Sequence, residues 1–210
     1  MKPKRKRAAT RTTYHHGGLR DALMNAALDA VARDGTQAVS LRELARELGV
    51  SHSAPGHHFP DRTSLFTALA AEGFARLHTA LAEGVAAAAN TPVARLNAAG
   101  RAYVLFAAEN PAYFEVMFHP KLLRQDDPAL EISRDNASRV LQEAIAALQG
   151  GNKRGKLQSA PVRGMSLDIP VLHAWSVAHG LASLWLNGNI TTEMAPAGIE
   201  ALTRRMFKSE

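Results

Sequence analysis

The chain has 210 residues, 46% of them apolar and 21% charged, with 15 glycines, 10 prolines and no cysteine. That composition describes one or two ordinary globular domains and excludes a collagen-like, low-complexity or disulfide-stapled chain. Without a thiol there is no thiolate nucleophile, zinc knuckle or redox switch, and no uninterrupted apolar run approaches the roughly 20 residues of a bilayer span. The basic amino terminus lacks the apolar stretch of a secretion signal, so a soluble, cytoplasmic protein with no membrane partner is expected.

The formal net charge is +6, and Lys2, Lys4, Arg5, Lys6, Arg7 and Arg11 fall in the first 16 residues, where there is no acid. The rest of the chain is neutral. Such an arm suits a polyanion, because each phosphate neutralised releases condensed counterions. By itself it fits nucleic acid, anionic lipid or a solubilising tail equally, and the adjoining helices decide between them.

From Gly18 apolar residues recur at helical spacing (Leu19, Leu23, Ala26, Ala27, Ala30, Val31), and Asp34-Gly35 supplies a stop. Ser40 with Glu43 three residues on has the form of a capping box, opening a short helix Leu41 to Leu48 that ends at Gly49. Ser51 then caps a third short helix to about His58, closed by Phe59-Pro60. Asp61 caps a long fourth helix, Arg62 to about Ala88. Later segments, separated by proline, asparagine and glycine breaks, run approximately Val93 to Glu109, Ala112 to Phe118, Ala129 to Leu148, Ile169 to Leu186 and Ala197 to Phe207. The expectation is an all-α chain of about nine helices without strands. These breaks divide the chain into a basic flexible arm, residues 1–13, an amino-terminal helical unit, 14–61, and a larger helical domain, 62–210.

Two short helices joined at Gly49, with Leu44, Ala45, Leu48 and Val50 turned inward, have the spacing of a helix-turn-helix. Ala45 leaves room for the second helix to cross closely, and Gly49 can take the left-handed conformation of the turn. The stretch from Ser51 is almost free of large apolar residues, which leaves Ser51, His52, Ser53, His57 and His58 available to bases and phosphates.

The runs Tyr14-His15-His16-Gly17-Gly18-Leu19-Arg20, Ser40 to Ser51 and His58-Phe59-Pro60-Asp61-Arg62 resemble the TetR family of bacterial one-component regulators. Asn110 to Phe118 and Trp175-Ser176-Val177-Ala178-His179-Gly180 look like that family's tryptophan-histidine-glycine type of effector domain. The resemblance implies a homodimer that leaves a double-stranded operator when a small molecule binds. It also implies that Arg42, Ser51, His52, Ser53 and His57 serve the DNA face, and that Arg62 matches a basic residue touching phosphate. His58 either joins them or packs beneath Phe59, and Arg11 contributes from the arm without sequence preference. The family usually carries an aromatic residue where this chain has Gly56 after Pro55, a pair that weakens the last helical turn.

In the larger domain, Leu172, Trp175, His179, Ala182 and Leu186 share one helical stripe, and Tyr113, Phe114, Met117 and Phe118 crowd a short helix. A pocket lined by Tyr103, Phe106, Phe114, Met117, Trp175 and His179 would suit a small, largely apolar effector with one polar group. His179, ionisable amid apolar neighbours, needs a carboxylate or a ligand as partner. The last two helices are expected to form the dimer as a four-helix bundle. No cofactor motif and no metal-ligand spacing is present, nor a nucleophile elbow, a phosphate loop or paired carboxylates, so an enzyme is not expected. A ligand-independent architectural DNA protein is the competing reading.

Overall fold

The structure, a computed structural model, describes residues 16–150, 159–162, 165–190 and 201. Seven α-helices are present among them: α1 His16–Asp34, α2 Leu41–Glu47, α3 Arg62–Ala86, α4 Pro92–Glu109, α5 Pro111–Met117, α6 Pro128–Leu148 and α7 Ile169–Leu186. The all-α architecture stands, but the count of about nine is corrected. The third expected helix is a 3-10 turn, Ala54–His57, and the ninth, Ala197 to Phe207, lies outside the described residues but for Ala201. The 3-10 geometry has a local cause. Pro55 has no N–H to donate and Gly56 is the costliest ordinary residue for a helix, so the segment closes mainly i to i+3 bonds, with one i to i+4 bond from the Phe59 N–H to the Pro55 carbonyl at 2.8 Å.

Local chemistry sets the helix boundaries. Gly35, at φ 78°, ends α1 with its N–H on the Val31 carbonyl at 2.9 Å. Asp61 caps α3 in a reciprocal box: its carboxylate accepts from the Ser64 N–H at 2.7 Å while its own N–H donates to Ser64 Oγ. Thr91 caps α4 and Asp127 caps α6, each followed by a proline that suits the first helical turn. The box expected at Ser40 does not form; Ser40 has extended backbone at the N-cap position, but its side chain makes no capping bond. Ser51 likewise is not the cap of the 3-10 turn, whose N-cap is Ser53.

One contiguous core runs from Leu23 on α1 to Ala182 on α7, with Leu65, Phe66 and Leu69 of α3 fully enclosed. α3 is therefore shared between the amino-terminal helices and the α4–α7 bundle, and its 25 residues span about 37 Å. A second cluster, Leu96, Ala144, Ile145, Val171 and Ala174, closes the far end of the bundle. Ahead of α7, β1 Ser159–Val162 pairs antiparallel with β2 Met165–Asp168. This small hairpin was not expected: four-residue strands, one containing Pro161, carry too little alternation to read. The stretch Gly150 to Lys156, whose glycines and charges mark it in the sequence as a mobile connection, lies outside the described residues but for Gly150.

α7 packs only part of its surface. Val171, Ala174, Ala178 and Ala182 are buried, whereas Ile169 and Leu184 are each 48% exposed and Leu186 38%. By average hydropathy and length this helix is the single described one that matches a membrane span. It contains no uninterrupted apolar run of that length, because His173, Ser176 and His179 break the sequence.

Candidate functional site

The turn after α2 is a Schellman motif: the Val50 N–H reaches the Ala45 carbonyl at 2.9 Å and the Gly49 N–H reaches the Arg46 carbonyl at 3.2 Å. Gly49 sits at φ 66°, and a Cβ there would meet nothing, so the requirement is conformational rather than steric. Leu44 and Ala45 are buried, and beyond the turn Pro55 and Phe59 are the residues turned inward. The polar residues go the other way. Arg42, Ser51, His52, Ser53, Gly56 and His57 are exposed, while His58 is half-buried beside Phe59. Arg20 of α1 stacks over the Phe59 ring at 5.4 Å and anchors the unit from behind.

At the opposite end of α3, a cavity of about 220 Å³ opens between α3, α4, α5, α6 and α7. Phe74, Leu77 and Leu81 of α3 form one wall, Tyr103 of α4 and Trp175 of α7 another, and Met117 and Phe118 of α5 the floor. The two main aromatic side chains satisfy each other. Trp175 Nε1 donates to the Tyr103 hydroxyl at 3.1 Å, and that hydroxyl lies 2.8 Å from His179 Nδ1. Burial pushes the Tyr103 pKa up and the His179 pKa down, so both are neutral near pH 7. The indole N–H takes one lone pair of the phenol oxygen, and the phenol and Nδ1 share the second hydrogen bond. Across the cavity stand Gln125, Arg134 and Ser138, from α6 and the loop before it.

Family comparison joins these two features. The model for the "tetracyclin repressor-like, C-terminal domain" matches residues 96–209, and that for "bacterial regulatory proteins, tetR family" matches residues 23–69. The chain belongs to the TetR family. By family it is a DNA-binding regulator of transcription. Among solved structures it is similar to a protein with unknown function from Rhodococcus sp. RHA1, at 30% identity over 93% of this chain and 98% of that one, TM-score 0.71. A bacterial regulatory protein in the tetR family from Rhodococcus RHA1 is 24% identical over 91% and 97%, TM-score 0.60. A TetR family transcriptional regulator from Thermus thermophilus is 19% identical over 89% and 99%, TM-score 0.62. The last two speak to the fold alone. Among curated proteins no sequence matches significantly.

In this TetR-family chain the expected effector residues divide. Tyr103, Met117 and Trp175 line the cavity; Phe106, Phe114 and His179 do not. Phe114 stacks on His179, with centroids 5.1 Å apart and planes at 24°, so the pair backs the wall. The partner of His179 is neither a carboxylate nor a ligand but the Tyr103 hydroxyl. Sequence reasoning missed Arg134, although Leu130, Arg134, Ala137 and Leu141 follow helical spacing and a lone charge on an apolar stripe is a readable signal. Burial lowers the Arg134 pKa, opposed by its neighbours Glu131 and Asp135.

Arg62 is turned away from the exposed face. Its guanidinium donates to the Thr36 carbonyl and lies over the Phe66 ring at 5.0 Å. The Thr36 N–H is held in turn by Glu115 of α5 at 3.2 Å. One residue in the amino-terminal unit, Thr36, is thus gripped through its two backbone groups from α3 and from α5, both of which also line the cavity. Arg124 adds a third tie, pairing with Asp61 at 2.6 Å while its backbone N–H meets Thr67 Oγ1 at 3.0 Å.

Proposed function

We propose that the chain is a ligand-released, sequence-specific repressor that binds a palindromic operator as a homodimer. One observation carries the reading: the element after the Gly49 turn buries Pro55 and Phe59 and leaves Ser51, His52, Ser53 and His57 exposed. That placement leaves the polar row free to reach base edges and phosphates, as a helix-turn-helix reader requires. Residues 14–61 form the head, with Arg42 adding charge at its edge and His58 at the end of the turn. Arg11 and the rest of the arm, residues 1–13, add backbone attraction without base preference. Arg62 acts as a brace inside the protein, or turns to phosphate when the Thr36 bond opens on DNA.

The effector half, residues 62–210, is read from the cavity, and the switch from α3. A rigid helix with its first residues at the head and Phe74, Leu77 and Leu81 in the cavity wall converts filling into tilt. The open apolar face of α7, marked by Ile169, Leu184 and Leu186, supports pairing with a second copy, together with the carboxy-terminal segment. Two heads must then meet successive major grooves about 34 Å apart. The cavity also tells against a ligand-independent architectural protein, which would have a solid core. Selection of bound duplexes from a random library is the test: a short inverted repeat is expected, and equal binding of selected and scrambled duplexes at physiological salt overturns the reading.

A further inference from the structure

Polar atoms are unevenly distributed around the cavity. On the wall of α4 and α7 the Tyr103 hydroxyl already has two partners, Trp175 and His179. On the α6 side, Arg134 is the one charged side chain among the lining residues. Its guanidinium lies over the Phe74 ring at 5.5 Å and touches only a neutral amide, Gln125 Oε1, at 3.4 Å. Among the described residues no carboxylate comes within ion-pair distance of it; Glu131 and Asp135, on the same helix, are exposed. A guanidinium carries five N–H donors, and with a single long contact this one keeps donors accessible to a guest. An aliphatic residue would fill the Leu130–Ala137–Leu141 stripe better, so packing does not account for the charge.

We infer that the cavity takes an amphipathic organic anion, its carboxylate held by Arg134 and its apolar body laid against Phe74, Leu77, Met117 and Val171. The inference rests on reading the cavity as the effector site and narrows the effector to one charge class. The planar fork of arginine fits a carboxylate through two parallel bonds, which a neutral alcohol or an amine does not provide. Size follows from comparison with a cavity of about 150 Å³ that accepts benzene. In proportion, 220 Å³ holds about nine heavy atoms, slightly fewer than octanoate or 3-phenylpropanoate contains.

The test is calorimetric titration of the full chain with octanoate, 1-octanol and octylamine, and with 3-phenylpropanoate and 3-phenylpropanol, for the wild type, Arg134→Gln and Arg134→Lys. Circular dichroism checks that each variant folds. At least one carboxylate is expected to bind roughly tenfold or more tightly than its alcohol, the scale of a charge-assisted hydrogen bond. Arg134→Gln removes that margin and leaves the alcohol unchanged; Arg134→Lys restores part of it. An alcohol that binds as well as its carboxylate, or a carboxylate indifferent to Arg134→Gln, overturns the anion and leaves the cavity as a site. If no probe binds, the cavity reading falls with it. The wild-type carboxylate-to-alcohol ratio decides even if Arg134→Gln does not fold.

Discussion

Gly56 stands in the exposed row of the head, and a Cβ built there meets nothing within 4 Å. A larger side chain at this position adds contact surface toward DNA without disturbing the protein, and Gly56→Tyr is expected to tighten operator binding several-fold in a salt-controlled titration. Unchanged or weaker binding would place the DNA backbone elsewhere. His179 gives a prediction of a different kind. Burial depresses its pKa below the ordinary 6.5, so just below 6.5 the unfolded chain binds a proton that the folded chain refuses. Stability contributed by the neutral imidazole is present above that value and is lost as pH falls through the depressed one. The melting temperature should therefore fall more steeply between pH 7.5 and pH 5.5 in the wild type than in His179→Asn, which scanning calorimetry at fixed ionic strength measures.

Among the elements, α3 and α5 approach closely at Gly73. A Cβ at Gly73 would lie 2.6 Å from Met117 Sδ and 3.1 Å from the Tyr113 ring. Alanine ordinarily gains up to about 1 kcal/mol over glycine in a helix, but here overlap outweighs propensity. Gly73→Ala is expected to destabilise by about 1–3 kcal/mol in urea unfolding, with part recovered by adding Met117→Ala. Thr36, whose carbonyl is held by Arg62 from α3 and whose N–H is held by Glu115 from α5, predicts a separable phenotype. Glu115→Ala should retain operator binding and ligand binding while blunting release, read by adding ligand to the preformed complex.

At this scale the limits of sequence reading are visible in particular residues. Gly49, Ala45 and the inward leucines were legible because a turn and a close crossing each admit few residue types. Tyr103, Met117 and Trp175 were legible as aromatic or large residues on amphipathic helices. Phe106, Phe114 and His179 share those stripes yet miss the cavity, because the stripe names a buried face and only the crossing of helices says which part of it is hollow. Arg134 sat unseen among Glu131, Ser133 and Asp135, where its helix reads as a solvent face. The shift from helix to 3-10 turn at residues 54–57 was announced by Pro55-Gly56, while the Ser40 box failed although its residues were right.

For the whole molecule, charge is concentrated at one end, with six bases and no acid in the first 16 residues. Deleting residues 1–11 should weaken binding to all duplexes alike and flatten the dependence of log affinity on log salt, by about 0.9 for each phosphate the arm no longer neutralises. A loss confined to one sequence would assign the arm to base reading instead.

α7 presents Val171, Ala174, Trp175 and Ala178 to the cavity and Ile169, Leu184 and Leu186 to the outside. On the proposed reading this one rod takes a guest on one flank and a second copy on the other, and thermodynamic reciprocity couples the two. Inducer constants measured on dilute and on concentrated samples should consequently diverge, and the amount of this regulator in a cell becomes part of the threshold at which it responds.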